Sequence, residues 1–534
     1  MNSDSIRKLV RLVLVVMMVM LIYPPGAAAA PLQQDAGGFR ALSGAEAASF
    51  AIPGDMQLVR ELALGNGLRF ERYQQYFGDA AVLGGQITVY RDSSGTASTV
   101  VGAYYTNIVP ANTIRRTPAD AAAAAQRDVG AGESREVELR IDPATGLYFY
   151  RVETRGLDMR WIHWVDAGSG RVLKKYDAIE TEDGTGVKDD TKSMSGLTTF
   201  HNAAGHGVNG AHWDLFSTDN RQWTFDAHNA RVLFYATDDD NHWTTSSRDG
   251  TWPDQSPLVD AQFYANTTDD YYQAHYGFDW QSCYVRMQSV AHFAQNYNNA
   301  FWNGTYTVYG DGDGTIFRSL SGGLDVVAHE HTHGVTDCTS NLIYQDESGA
   351  LNEAFSDMLG NSAEFFANEA ASTNCVKNSG QSTCADWWIG EDVYLPADLV
   401  VGFRNMADPR EDDDPDHYSE RQVGGPDNGG VHSNSGIPNH AFYLLVNGGK
   451  NAGCDTIGSN GHTHTANCDV SVKAAGLAAA EQIFFLGLTS LPENATMCDA
   501  RAATVASAHA VAPRWTNATR DAWEAVGVTE ALCG

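Results

Sequence analysis

Apolar residues fall into runs of different period along this chain. The first run, Leu12–Tyr23 (LVLVVMMVMLIY), follows the basic residues Arg7, Lys8 and Arg11 and precedes the small-residue stretch PPGAAAA. It is shorter than the roughly 20 residues that a membrane span needs. Basic flank, short apolar run and small residues together predict an export signal, cut near Ala28–Ala30. An uncleaved anchor is the other reading. No cysteine follows the run, so lipid anchoring is not expected, and no later stretch is long enough to span a membrane.

Beyond it, LYFYRVETRG and MRWIHWVDAGSGRVLKKYD alternate as strands do, around a turn at AGSG, and PADAAAAAQRDVG (118–130) is Ala-rich. ETEDGTGVKDDTKSMSG (180–196) is polar and Gly-containing and reads as an exposed, cuttable linker. From 197 to 290, aromatic and β-branched runs with Gly, Asn and Asp breaks predict a β-rich half. Helical patterns follow in SVAHFAQNYNNAFW, LDVVAHEHTHGVTD, SGALNEAFSDMLGNSAEFFAN, SVKAAGLAAAEQIFFLG and RAATVASAHAV. The expected fold class is α+β. The expected division is an export signal (1–30), a propeptide (31–180), a β-rich lobe (181–330) and a mostly helical lobe (331–534). Signal, cysteine-free segment, linker and cysteine-bearing domain together have the layout of a zymogen; an ordinary two-domain protein is the alternative.

The formal net charge of −31 argues against nucleic acid and anionic membrane as partners. It suits a soluble exported protein and can supply carboxylates to calcium. Eight cysteines in an exported chain favour disulfides. Short separations suggest Cys375–Cys384 and Cys454–Cys468, leaving Cys498–Cys533 and Cys283–Cys338 as conjectures. GHTHTANC, which ends at Cys468, could instead belong to a zinc knuckle. GDGDG (310–314) lacks the full calcium-loop pattern and reads as a tight turn.

The chemistry concentrates in VVAHEHTHGV (326–335). His329 and His333 are four residues apart, so on a helix their rings lie on one face and can meet one zinc ion. Glu330 is angled away from a ligand position and suits a base acting on water held there. His331 points elsewhere and is read as structural. A catalytic zinc takes three protein ligands. Glu353, twenty residues past His333 on a second helical pattern, is the third candidate. Asp357 shares its face and can accept a hydrogen bond from a ligand imidazole.

These stretches, together with NNAFWNG (298–304), LIYQDESGALNEAFSDMLG (342–360), DPDHYSERQ (414–422) and DNGGVHSNSGIPNHAFYLL (427–445), resemble in order the thermolysin-like neutral metalloproteinases, secreted two-lobed zinc endopeptidases of the gluzincin class. The upstream segments resemble that family's propeptide, which assists folding and inhibits until removed. The resemblance implies that His329, His333 and Glu353 bind zinc and that Glu330 polarises water and passes its proton to the leaving amine. It implies that Tyr344 and His432 donate to the oxyanion, that Asp427 orients His432, and that Asn299, Ala300 and Arg404 hold the substrate backbone. It implies an apolar pocket of Phe317, Leu320, Val326, Ile389, Val393 and Phe403 for the residue after the scissile bond. Phe403 is bulkier than the Leu expected there. Asn434 and Asn439 are left as structural.

The same likeness places calcium at Asp325, Glu364, Asp386 and Glu391, with an insertion at Cys375–Cys384 beside them. Proteins and peptides are the expected substrates and the propeptide the expected inhibitor; nucleic acid and membrane are not expected partners, and a monomer is the default. A catalytically dead binding or adhesion protein on this scaffold would have lost Glu330, His432 or a zinc ligand, and all are present. Another zinc hydrolase or peptidase of the same broad zincin class is a rival that the DNGGVH stretch and the 20-residue gap to Glu353 argue against. A chain acting through its N-terminal domain, as an inhibitor or chaperone, is the remaining rival.

Overall fold

The computed structural model describes residues 33–34, 40–63, 68–130, 132–156, 159–178, 180–182, 192–201, 212–238, 241, 243, 254–371, 377–378, 381–382, 385–395, 402–454 and 464–534. The expected export signal, the Cys375–Cys384 pairing and most of the linker lie outside the described residues. Among those residues, no helix is long and apolar enough to cross a membrane.

Residues 40–177 form a nine-stranded sheet. Its strands are β1 (Arg40–Ser43), β2 (Met56–Ala63), β3 (Arg69–Phe77), β4 (Ala80–Arg91), β5 (Ala97–Gly102), β6 (Glu133–Ile141), β7 (Tyr148–Gly156), β8 (Met159–Asp166) and β9 (Val172–Asp177). The order is β9-β8-β7-β6-β4-β3-β2, with β5 also on β4 and β1 on β5. Helix α1 (Pro118–Val129) starts at Thr117, whose side chain and that of Asp120 cap each other's backbone, and stops at Gly130 in the left-handed conformation. Ala121 and Ala125 let it pack on Tyr150, Val152 and Val165.

A six-stranded sheet follows. It runs β10 (Glu180–Glu182), β14 (Ala300–Trp302), β15 (Thr307–Tyr309), β13 (Met287–Phe293), β11 (Gln222–Ala230) and β12 (Phe234–Tyr235). Two expectations fail here. SVAHFAQNYNNAFW is not helical: it holds the end of β13 and the whole of β14. Ser289–Phe293 is buried throughout, as a strand covered on both sides must be, so it shows no alternation. His292, Ala294 and Asn296 take positive φ, which no helix allows. Conversely, the expected β-rich half contains a 21-residue helix, α2 (Ser256–Tyr276). Its buried residues include Asp260, Gln262, Thr268 and Asp269, so it carries no clean apolar stripe.

The helical lobe is built on α3 (Leu324–Cys338) and α4 (Asp346–Ala371), followed by α5 (Asp427–Asn434), α6 (Gly436–Asn447), α7 (Leu477–Ser490), α8 (Met497–Val511) and α9 (Thr516–Ala525). Helix α3 runs across position 330/331, so both lobes share it. Disulfides Cys283–Cys338, Cys454–Cys468 and Cys498–Cys533 form, with Cα separations of 5.9, 5.4 and 5.3 Å. The first ties α3 to the segment before β13.

The nine-stranded sheet meets the rest of the chain through apolar packing, with Phe70, Tyr90 and Val101 in the core cluster of the helical lobe, and through a set of arginines. Arg72 donates to the carbonyls of Thr489 and Leu491, and Arg155 to that of Gly304. Arg140 pairs with Glu493. Arg160 pairs with Asp337 at 2.6 Å, and Arg60 donates to the Cys338 carbonyl at 2.8 Å. Glu153, buried beneath them, binds Arg155 and Arg160 together.

Candidate active site

Helix α3 is buried from Leu324 to Thr336, because α4 lies directly against it. Gly360 sets that distance. A Cβ at Gly360 would stand 2.7 Å from the Asp325 carbonyl oxygen and 3.0 Å from the His329 nitrogen. The two backbones therefore touch where both candidate ligand sets sit.

The i, i+4 spacing does bring His329 and His333 together, with ring centroids 4.6 Å apart. Their outer nitrogens are occupied from α4. The Nδ1 of His329 lies 2.9 Å from Asp357 Oδ1, and that of His333 lies 2.9 Å from Asn352 Oδ1. Those acceptors keep each ring's proton on Nδ1 and turn each Nε2 lone pair inward. The Nε2 atoms stand 3.5 and 3.6 Å from the oxygens of Glu353. Such separations exceed the usual hydrogen-bond range and equal the edge of a coordination shell whose bonds are about 2.0–2.2 Å. Two imidazoles and one carboxylate, all fully buried, thus fit a zinc ion with a position open for water.

The local electrostatics agree. Burial, then the neighbouring His329, hold His333 well below the usual histidine range. Burial raises Glu353 against the pull of His432 and Arg404. Burial also opposes ionisation of Asp357, but Arg404 and His329 outweigh it and hold this carboxyl below its usual range. Arg404 reaches Asp357 with two nitrogens, one at 2.8 Å. His331 stands edge-on to Trp280, away from the pair, and burial pushes it down to about 3.

A second chain of contacts approaches from α5. Asp427, Asn428, Gly429 and Gly430 all have positive φ, 56°, 44°, 98° and 80°. That left-handed run folds Asp427 back on His432, where its oxygens accept from Nδ1 at 2.6 Å and from the backbone nitrogen at 3.0 Å. A Cβ at Gly429 would strike Asp346 Oδ1 at 2.4 Å, so DNGG suits both conformation and space. The Nε2 of His432 lies 3.1 Å from the Tyr344 hydroxyl, which donates to Glu353. Burial raises Asp427, but its bonds to His432 outweigh this and hold it below the usual carboxylate range.

Around this centre, Ala300 lies on β14 and Asn299 just before it, with Asn299 Oδ1 shielded and without a hydrogen bond among the described residues. Leu320, Val326 and Val393 form one buried cluster, flanked by Phe403. Ile389 is fully buried and Phe317 nearly so. The Phe403 ring lies over Gly390, where a Cβ would be only 1.7 Å away.

Glu364 and Glu391 converge with Asp392, a residue that sequence reasoning passed over. Burial, then Glu364, Asp325, Asp392 and Asp386, drives Glu391 well above the usual range. Sequence reasoning also passed over Asn352 and Ser356, both on His333 Nδ1, and read Asn439 as structural; it donates to Asp357 at 2.7 Å. Each sits within a quoted motif, but only the fold shows what it touches.

The N-terminal sheet covers this centre. Leu83, Phe149, Ile162 and Tyr176 pack with Tyr344 and Val431 in one cluster. Strand β10 pairs antiparallel with β14, matching Glu182 to Ala300.

Comparison with known proteins agrees with the geometry. Residues 179–337 match the family model of the thermolysin metallopeptidase catalytic domain, residues 340–528 that of its alpha-helical domain, and residues 54–104 the fungalysin/thermolysin propeptide motif. A bacillolysin of Brevibacillus brevis is 37% identical over 419 residues, 74% of this chain and 72% of its own length. A thermolysin of Alicyclobacillus acidocaldarius subsp. acidocaldarius is 36% identical over 423 residues, 74% and 69% of the two chains. Among solved structures, the precursor of protealysin from Serratia proteamaculans aligns over 58% of this chain and 87% of its own, at 26% identity and a TM-score of 0.44. The chain belongs to the thermolysin family of metallopeptidases, as a propeptide-bearing member.

Proposed function

We propose that this chain is a secreted zinc endopeptidase that hydrolyses internal bonds of proteins and prefers a hydrophobic residue after the scissile bond. The convergence of His329 Nε2, His333 Nε2 and Glu353 carries the reading. Those three residues hold the zinc, which when bound supplies Lewis-acid polarisation of water and of the scissile carbonyl. Glu330 takes a proton from the attacking water and delivers it to the leaving amine. Tyr344 and His432 donate to the oxygen on which charge develops; Asp427, accepting from Nδ1, orients His432 and stabilises the doubly protonated ring that donates from Nε2. Arg404, fixed by Asp357, and Asn299 grip the substrate backbone beside Ala300 on β14. Phe317, Leu320, Val326, Ile389, Val393 and Phe403 wall the side-chain pocket, and the Phe403 ring over Gly390 restricts it to modest residues.

The propeptide division at 31–180 fits the seam, and β10 fits an inhibitory strand on the substrate edge. Calcium at Asp325, Glu364, Asp386 and Glu391, with Asp392, suits a buried carboxylate cluster whose mutual repulsion a cation would relieve. The N-terminal run and the disulfides suit export.

Casein hydrolysis by the secreted protein, wild type against Glu330→Gln, tests the reading. Activity that a chelator abolishes, zinc restores and the variant lacks supports it. A zinc-loaded wild type that has shed its propeptide and cleaves nothing refutes it.

A further inference from the structure

The Cys454–Cys468 loop, a zinc-knuckle candidate by sequence, is closed by a disulfide, so its sulfurs cannot serve as thiolate ligands. Its histidine is used differently. His464 is 5% exposed, and its Nδ1 turns away from the loop toward Asp416 and Glu420. Glu420 lies on the short helical turn Tyr418–Glu420 that follows the stretch DPDH.

The geometry points to a second metal site at Asp416, Glu420 and His464, taking zinc or a similar first-row divalent cation. His464 Nδ1 is 3.5 Å from Asp416 Oδ1 and 3.7 Å from Glu420 Oε1. Each contact is longer than a hydrogen bond between these groups would be. Both are close to the 3.5 and 3.6 Å edges of the catalytic cluster, where nitrogen and oxygen ligands face one shared point. Asp416 is 1% exposed, yet among the described residues neither its Oδ1 nor His464 Nδ1 has a hydrogen-bond partner. An uncompensated acceptor pair of this kind is costly in a buried place, and a cation shared between them removes the cost.

The surroundings hold these ligands in place. Cys454 Sγ, in the disulfide, lies 3.3 Å from His464 Nε2. The His417 ring stacks on His464 with centroids 4.2 Å apart. Gly453 is needed for the approach, since a Cβ there would stand 2.3 Å from Asp416 Oδ2 and 2.7 Å from His464 Cε1. Arg410 lies 3.4 Å from Asp416 Oδ2, on the side away from Oδ1, and also pairs with Asp408 at 2.8 Å. One imidazole and two carboxylates form the mixed N/O set that zinc accepts. This site belongs to the helical lobe, and the catalytic residues take no part in it.

The test counts zinc in the full chain carrying Glu330→Gln, which limits self-digestion. The protein is dialysed against micromolar zinc with calcium in excess, and metal per chain is measured by plasma mass spectrometry. Two zinc ions per chain are expected. His464→Ala and Glu420→Gln should each reduce this to one, as should His333→Ala, which removes the other ion. Circular dichroism identifies the folded variants, and Glu420→Gln keeps the side-chain shape if His464→Ala does not fold. One zinc in the parent chain, or a second zinc retained by a folded His464 or Glu420 variant, overturns the assignment.

Discussion

The catalytic centre and the ion pairs at the seam beneath the N-terminal sheet are both largely shielded from water, yet they are built differently. At the centre the ligands and His432 are braced by further side chains. His329 has Asp357 behind it, Asp357 has Arg404 and Asn439, and His432 has Asp427. At the seam, arginines reach backbone carbonyls and carboxylates of the other part beside an apolar interface, and Arg140, Arg155 and Arg160 among them are also paired with carboxylates of their own sheet. Mutual bracing fixes atoms to the tolerance that catalysis needs. The centre thus concentrates directional bracing, whereas the seam combines ion pairs with apolar packing.

The largest expected effect breaks the centre without touching its scaffold. Glu330→Gln should lower kcat by about 10²–10⁴-fold while zinc content stays unchanged, measured by peptide hydrolysis and metal analysis. Next, His432→Phe should lower kcat by roughly 10²–10³-fold with little change in KM, because the lost donor acts on developing charge. Steady-state kinetics on one peptide separate the two parameters.

The seam should respond in stability rather than turnover. Glu153→Gln in the full chain should cost about 3 kcal/mol, since it leaves Arg155 and Arg160 without their shared partner. Burial opposes ionisation of Glu153, but Arg160, Arg151 and Arg155 outweigh it and hold the carboxyl far below its usual range. A depressed folded-state value means that the contribution is complete above the ordinary carboxylate pKa and fades as pH falls toward the folded value. Thermal melts of parent and variant should therefore differ equally at pH 7 and pH 5, and converge only in stronger acid. A gap that closes between pH 7 and 5 would contradict this. The smallest effect returns to the bracing: Asn352→Ala should weaken zinc affinity by about 10–100-fold, read by competition with a chelator.

Much of the centre was legible because helices convert spacing into direction. His329, His333, Glu353 and Asp357 lie on two helices at offsets that leave little choice of facing. The bracing residues were not legible, because Asn352, Ser356 and Asn439 gain their meaning only from neighbours on other elements. The β-rich lobe was read least well. Helix α2 buries Asp260, Gln262 and Asp269 through tertiary hydrogen bonds and ion pairs, such as Gln262 with Thr224 at 2.7 Å, so polarity no longer marks its outer face. Ser289–Phe293 failed for the opposite reason, being covered on both faces and therefore without a period. The disulfides Cys283–Cys338 and Cys498–Cys533 joined cysteines whose proximity no local pattern encodes.

The pairing of Glu180–Glu182 with Ala300–Trp302 has a kinetic meaning. A strand tethered beside its own edge experiences that edge at an effective concentration on the order of millimolar, far above most free polypeptides. Self-processing that begins from this arrangement is a unimolecular event. Its half-time should stay constant when the precursor is diluted a hundredfold, whereas cleavage of one copy by another would slow in proportion.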